Sequence, residues 1–260
     1  MGPIHILMIV LVSLAIGSFL NVVIHRLPRG ESLAFPGSRC ASCGRAIRFY
    51  DNVPLLSYAV LGGKCRFCGE KISARYPIVE GLTAFIVLAL LAVYGLTVPF
   101  AAYATLAFFL IPISFIDWDT GFIPDKLVIP ASIAGIFYLA AFHIVKWKVT
   151  WKSGLAGMVA GAGLLLLLMI AGKFLMKKDA MGMGDVKMLA MTGIYVGFPA
   201  VWIALFFGGV AACVYIMIAL ARKRLMLKNT IPFGPFIAIG TLTYLLAGDF
   251  LIQWYLGLIR

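Results

Sequence analysis

Phe108-Phe-Leu-Ile-Pro-Ile-Ser-Phe-Ile-Asp117 is an apolar run that ends on a carboxylate. A second acid, in Met181-Gly-Met-Gly-Asp185-Val-Lys187, lies between two further apolar runs. The chain is 63% hydrophobic and holds only ten Asp and Glu among 260 residues, so an acid beside hydrocarbon needs a reason. Such a group is costly to hold there and faces a partner or a water-filled cavity.

Working outward from these runs, the bilayer is the solvent. A mean hydropathy of +1.03 on a water-soluble domain would leave large sticky surfaces. One helical crossing takes about 20 mostly apolar residues. Candidate spans are Ile4–Ile24, Pro77–Tyr94, Pro99–Ile116, Leu127–Val145, Gly154–Leu175, Val186–Phe198, Ala200–Ala221 and Phe233–Ile259. The expected fold is an all-α polytopic membrane protein with about eight transmembrane helices and a small cytoplasmic zinc-binding segment after the first. The expected division is 1–25 as first transmembrane helix, 26–76 as cytoplasmic four-cysteine domain and 77–260 as transmembrane core. Val186–Phe198 is short, and reads as tilted, broken or partly re-entrant. Gly154, Gly157, Gly161 and Gly163 form a small-residue face for close helix packing, within the chain or in a dimer.

The net charge is +12, unevenly spread. Arg26 through Arg75 carries nine Lys and Arg against three acids. Basic residues mark cytoplasmic loops, which places this segment in the cytosol and the N-terminus outside. With alternating crossings, Lys173, Lys177, Lys178 and the cluster Arg222, Lys223, Arg224 and Lys228 also fall inside. Lys146, Lys148, Lys152 and Arg260 fall outside. The cluster at Arg222 lands inside only when Val186–Phe198 crosses. The charge therefore reads as topology and lipid contact rather than nucleic-acid binding, since no basic patch is interleaved with aromatics at stacking spacing. The first apolar run lacks a basic leader and a small-x-small site, so it reads as a retained span and not a cleaved signal.

The segment Arg26–Tyr76 breaks the membrane pattern. It is polar, contains Pro28, Pro36 and Pro54, and carries four of the five cysteines. It is too short for a large core, and a metal or disulfide staple is the usual remedy. Cys40-Ala-Ser-Cys43 and Cys65-Arg-Phe-Cys68 are two Cys-x-x-Cys turns, each followed by a glycine. Two such turns offer four thiolates to one tetrahedral zinc, a closed structural site with no open position for catalysis. The competing reading is a pair of disulfides, which are rare in the reducing cytosol. Cys213, within an apolar run, reads as a small packing residue.

Asp117-Trp-Asp119-Thr-Gly-Phe-Ile-Pro124-Asp125 places three acids at the end of the third span. Gly121 and Pro124 end or turn the helix. Asp125 reads as an N-cap of the next run, and Asp119 as solvated. Gly182 and Gly184 allow a backbone to pass close to Asp185, and Lys187 is placed to bias its ionisation or to meet a lipid phosphate. A pair of membrane carboxylates has three uses at this point: an aspartyl hydrolase, a proton-coupled transporter, or caps and glue in a structural protein.

The order of motifs resembles the bacterial type IV prepilin peptidases, membrane aspartyl proteases of the GxGD class. The resemblance is carried by Gly17-Ser-Phe-Leu-Asn21 through Arg26-Leu-Pro28, by Pro36-Gly-Ser-Arg-Cys40 and the second cysteine turn, and by Asp51-Asn52-Val-Pro54. It continues in Arg75-Tyr-Pro77-Ile-Val-Glu80, in Asp117 through Asp125 and in Met183-Gly184-Asp185-Val-Lys187. It implies that Asp117 and Asp185 are the catalytic pair of an endopeptidase in the bacterial inner membrane. The implied substrates are prepilin or pseudopilin precursors of type IV pili and type II secretion, cut after a short basic leader at the cytoplasmic face. The four-cysteine segment further implies a bifunctional enzyme that methylates the new N-terminus with S-adenosylmethionine. Glu80 is the one candidate for cofactor contact, and Gly182, Gly184, Lys187 and Asp125 are candidate supports.

Overall fold

The computed structural model describes residues 2–176, 182–222 and 231–259, and nine α-helices account for most of these described residues. Met181 and the basic residues Lys177, Lys178, Lys223, Arg224, Lys228 and Arg260 lie outside the described residues. No β-strand occurs among the described residues; two isolated bridges are the only extended pairings there. Among the described residues, seven helices are long and apolar enough to cross a bilayer: α1 (Pro3–Arg26), α3 (Arg75–Tyr94), α4 (Val98–Thr120), α5 (Asp125–Ile144), α6 (Trp151–Met176), α8 (Phe198–Ala221) and α9 (Gly234–Ile259). The remaining two are α2 (Leu56–Val60) and α7 (Met183–Val196). The chain divides into two compact units, Met1–Ala89 and Leu90–Arg260.

The first unit contains α1, the cysteine turns, α2 and most of α3. Gly17 of α1 lies so close to α3 that a Cβ there would stand 2.8 Å from the Glu80 Cα. Asn21 donates from Nδ2 to the Tyr76 carbonyl at 3.1 Å. A small residue and a carboxamide thus bring the end of α1 and the start of α3 together, as glycine faces and polar side chains do between apolar helices.

The second unit is built around the short helix. α7 has 14 residues, about 21 Å of rise, less than the hydrocarbon thickness of about 30 Å. The eighth expected span is therefore a helix, but of less than membrane length. From Asp185 to Val196 nearly all of it is buried, and it touches α4, α5, α6, α8 and α9. Beyond Lys187 its residues are apolar or small, and such a stretch belongs in an interior. Its closest neighbour is α6. A Cβ at Gly161 would stand 2.8 Å from the Leu189 carbonyl, and one on Gly157 or Gly193 would collide with the other's backbone. The glycine face read from Gly154, Gly157 and Gly161 thus packs within the chain, while Gly163 meets nothing within 4 Å.

α4 shows how local sequence sets a helix end beside the site. Thr97 caps its start, accepting from Phe100 N–H at 3.5 Å, with Pro99 in the first turn, a favoured position for proline. Gly121 ends it in the left-handed region (φ 65°) and donates to the Asp117 carbonyl at 2.8 Å, the glycine stop that other residues adopt at a cost. Asp117 is thereby held one turn from the end.

Candidate active site

Asp117 and Asp185 come from different helices and meet in the interior of the second unit. Asp117 lies in the last turn of α4 and is 4% exposed. Asp185 is the third residue of α7 and is 8% exposed. The helices that carry them, α4 and α7, are in contact. Ile123, from the loop after α4, packs against Gly184 beside Asp185 and against Gly234 beside Asp117. A Cβ on Gly184 would lie 2.9 Å from the Ile123 Cβ, and one on Gly234 would lie 3.3 Å from its Cδ1.

Each carboxylate has a backbone donor. Gly234 N–H, at the start of α9, donates to Asp117 Oδ2 at 2.9 Å. Gly182 N–H donates to Asp185 Oδ2 at 3.3 Å, the reach back of an N3 acid to the N-cap amide. Asp185 Oδ1 is buried and accepts no hydrogen bond among the described residues. Buried polar atoms are nearly always paired, and an unpaired one belongs to strain, catalysis or an unseen water. Two buried acids that share a site do not both ionise cheaply, so the pair tends to hold one proton. Such a pair presents one base and one acid to whatever lies between.

Asp125 and Lys187 do something other than the sequence reading expects. Asp125 is the first residue of α5, and the N-cap is Pro124 with no side-chain bond. Its carboxylate takes the Lys187 ammonium instead, at 2.9 and 2.8 Å. Both side chains are about half exposed. Lys187 therefore pairs with Asp125, and Asp185 keeps only its backbone donor. The pair ties α5 to α7, each just beyond one of the two central aspartates. Gly234 escaped the sequence reading. Its signal was present in Pro232-Phe-Gly-Pro235, but nothing local indicates that this amide reaches Asp117.

The four cysteines converge in the first unit. Their sulfurs all lie within 4.8 Å of one another, with Cys40 and Cys68 at 3.8 Å. A tetrahedron of zinc–sulfur bonds of about 2.3 Å has sulfur–sulfur edges of about 3.8 Å, so the donor set fits that ion. The cysteines are free thiols. The two turns share one backbone pattern. Cys40 N–H donates to Arg45 O and Gly44 N–H to Cys40 O; Cys65 N–H donates to Glu70 O and Gly69 N–H to Cys65 O. Gly44 and Gly69 both adopt positive φ, 68° and 71°, where glycine is at no disadvantage. Backbone N–H groups of Cys43 and then Ser42 hold the Cys40 thiol down at about 6, toward the thiolate that a metal requires. Beside the turns, Arg66 grips Asp51 with contacts of 2.6 to 3.1 Å. Glu80 is buried in α3, where its Oε2 accepts from Leu55 N–H at 2.9 Å and its carboxylate also bonds Ser18.

Residues 104–217 match the type IV leader peptidase family, and residues 11–94 match the bacterial peptidase A24 N-terminal domain. The chain belongs to the type IV leader peptidase family. It is 35% identical to a protein of Aeromonas salmonicida named prepilin leader peptidase/N-methyltransferase, over 97% of this chain and 94% of the relative. Proteins of the same name from Pseudomonas aeruginosa and Burkholderia pseudomallei are 33% and 32% identical. They cover 96% and 89% of this chain, and 93% and 82% of their own lengths. No solved structure matches the chain significantly. Family membership makes the chain a peptidase of bacterial type, and with seven membrane-capable helices it is a multi-pass inner-membrane protein. The transporter alternative has no support from these relatives.

Proposed function

We propose that this protein removes the basic leader of type IV prepilin-like precursors, with Asp117 and Asp185 as the catalytic pair, and then methylates the exposed N-terminus. The single observation that carries the reading is the meeting of two buried carboxylates, one with an oxygen left unpaired. The family and the names of the relatives supply the substrate class. Three regions divide the work: 1–25 as anchor, 26–76 as zinc-held cytoplasmic segment and 77–260 as peptidase core. The basic segment faces the cytosol and the N-terminus faces outside.

One aspartate is ionised and the other protonated. The ionised member takes a proton from water, whose oxygen bonds to the scissile carbonyl carbon. The protonated member donates a hydrogen bond to the carbonyl oxygen. When the carbon–nitrogen bond breaks, the proton gained from water passes to the leaving amine. Gly234 N–H and Gly182 N–H hold each carboxylate by one oxygen and leave the other for chemistry. Cys40, Cys43, Cys65 and Cys68 would hold zinc as a closed structural staple, outside the hydrolytic step. S-adenosylmethionine, when bound, supplies the methyl group; this half of the reading rests on the relatives' names. Glu80 already serves Leu55 and Ser18, which favours an anchoring role over cofactor contact.

The test mixes detergent-purified protein with a pilin precursor and reads product mass. Asp117→Asn and Asp185→Asn are each expected to remain in the membrane and to lose cleavage by about 10²–10⁴-fold, the usual contribution of a positioned acid or base. Robust cleavage by either variant refutes the pair. Wild-type activity is expected to follow a bell-shaped pH profile, since both the fully protonated and the fully ionised pair are inactive.

A further inference from the structure

The turn Phe49–Asn52 and helix α2 form a small apolar hairpin with no role in the chemistry above. Ser57, buried on the inner side of α2, donates to the Tyr50 carbonyl at 2.9 Å and accepts from Val53 N–H at 3.0 Å. These bonds lock turn and helix into one piece. Leu56 and Val60, four residues apart and so on one helix face, point outward at 61% and 72% exposed. Phe49 is 87% exposed at the other end of the piece.

The level at which the hairpin is held decides what that face meets. Leu55 N–H donates to the Glu80 carboxylate. Glu80 lies five residues into α3, about 7.5 Å along its axis, within the apolar run that starts at Pro77. Leu55 itself has φ 60°, a genuine outlier for a bulky residue that persists only where its surroundings enforce it. The backbone of α1's last turns is tied to the same place through Asn21 and Tyr76. The start of α2 is thus pinned beside the last turns of α1 and the first turns of α3, both of membrane length, and its exposed face is aliphatic. Around it the segment is cationic: Arg45 and Arg48 stand over the Phe67 ring at 5.1 and 5.3 Å, and Arg48 also bonds the Tyr50 hydroxyl. Apolar side chains at headgroup depth flanked by arginines complement an anionic lipid surface.

We propose that Phe49–Val60 is an interfacial anchor, with Leu56 and Val60 inserted among the acyl chains of the adjoining leaflet and the arginines at its anionic headgroups. Its effect is to fix the cysteine-bearing segment against the membrane rather than leave it swinging on two chain connections. The proposal is independent of the peptidase assignment.

The experiment places the photoreactive amino acid p-benzoylphenylalanine at position 56, 60, 41 or 167 of the full chain. The protein is then reconstituted with clickable phosphatidylglycerol. Metal content serves as a check that the segment has folded. Labelling at 56 and 60 is expected to match that at Leu167, an exposed residue of the spanning helix α6, and to exceed that at Ala41 in the first cysteine turn. Labelling at 56 and 60 no stronger than at Ala41 overturns the proposal. So does capture of a second copy, or of an added pilin precursor, in place of lipid. Hydroxyl-radical footprinting of the unsubstituted chain in nanodiscs gives a second measurement. Leu56 and Val60 are expected to stay unoxidised despite their exposure to solvent in the bare protein, and rapid oxidation of both overturns the anchor.

Discussion

Gly234 shows how narrow the tolerance is at the residue scale. A Cβ there would stand 2.7 Å from Asp117 Oδ2, where only the amide hydrogen now points. Gly234→Ala is expected to leave a folded membrane protein whose cleavage rate falls by up to about 10²-fold, the effect of a misplacement near 1 Å; turnover against a pilin precursor checks it. Asp51 offers a second test. The Arg66 guanidinium that grips it holds its carboxyl below the usual carboxylate range. A carboxyl whose folded value is depressed adds stability above its unfolded value near 4, and loses that share as pH falls through the folded value. Hydrogen exchange around the cysteine turns is therefore expected to be faster in Asp51→Asn than in wild type at pH 6. The two are expected to converge as the medium is acidified through that depressed value.

At the scale of elements, the Asp125–Lys187 bridge joins α5 to α7 at the surface. An exposed ion pair contributes about 0–1 kcal/mol, so Asp125→Asn is expected to cleave within a few-fold of wild type. The charge-exchanged double variant, with Asp125→Lys and Lys187→Asp, is expected to recover what either reversal alone loses. Total loss of activity in Asp125→Asn would place that residue in the chemistry instead. α7 carries the larger lesson. Its length alone indicates a tilted, broken or partly re-entrant segment, and its sequence beyond Lys187, mostly apolar, is compatible with either lipid or protein neighbours. The glycines of α6 decide for protein, because Gly157 and Gly161 let the backbone of α7 approach closer than any side chain would.

Over the whole molecule, the metal and the membrane act on different parts. Replacing Cys40 or Cys65 with serine is expected to remove about one zinc per chain, measured by elemental analysis of protein purified without chelator. Leader cleavage is expected to survive that loss better than methylation, since the aspartate pair belongs to the second unit and the four thiols to the first. Equal loss of both activities would tie the staple to the peptidase core.

Composition and spacing alone indicated that the chain is helical and membrane-bound, that four cysteines sit in two Cys-x-x-Cys turns fit for one zinc or a pair of disulfides, and that Asp117 is the acid hardest to explain as decoration. Those are local properties: hydropathy sums along a span, and a Cys-x-x-Cys turn forms within itself. Tertiary structure alone decided that Lys187 serves Asp125, that Gly234 reaches Asp117, and that the short helix lies at the centre of its unit. These depend on which groups come within hydrogen-bonding distance across 62 and 117 residues of chain. Contacts of that range are set by packing, and no window of sequence contains both partners.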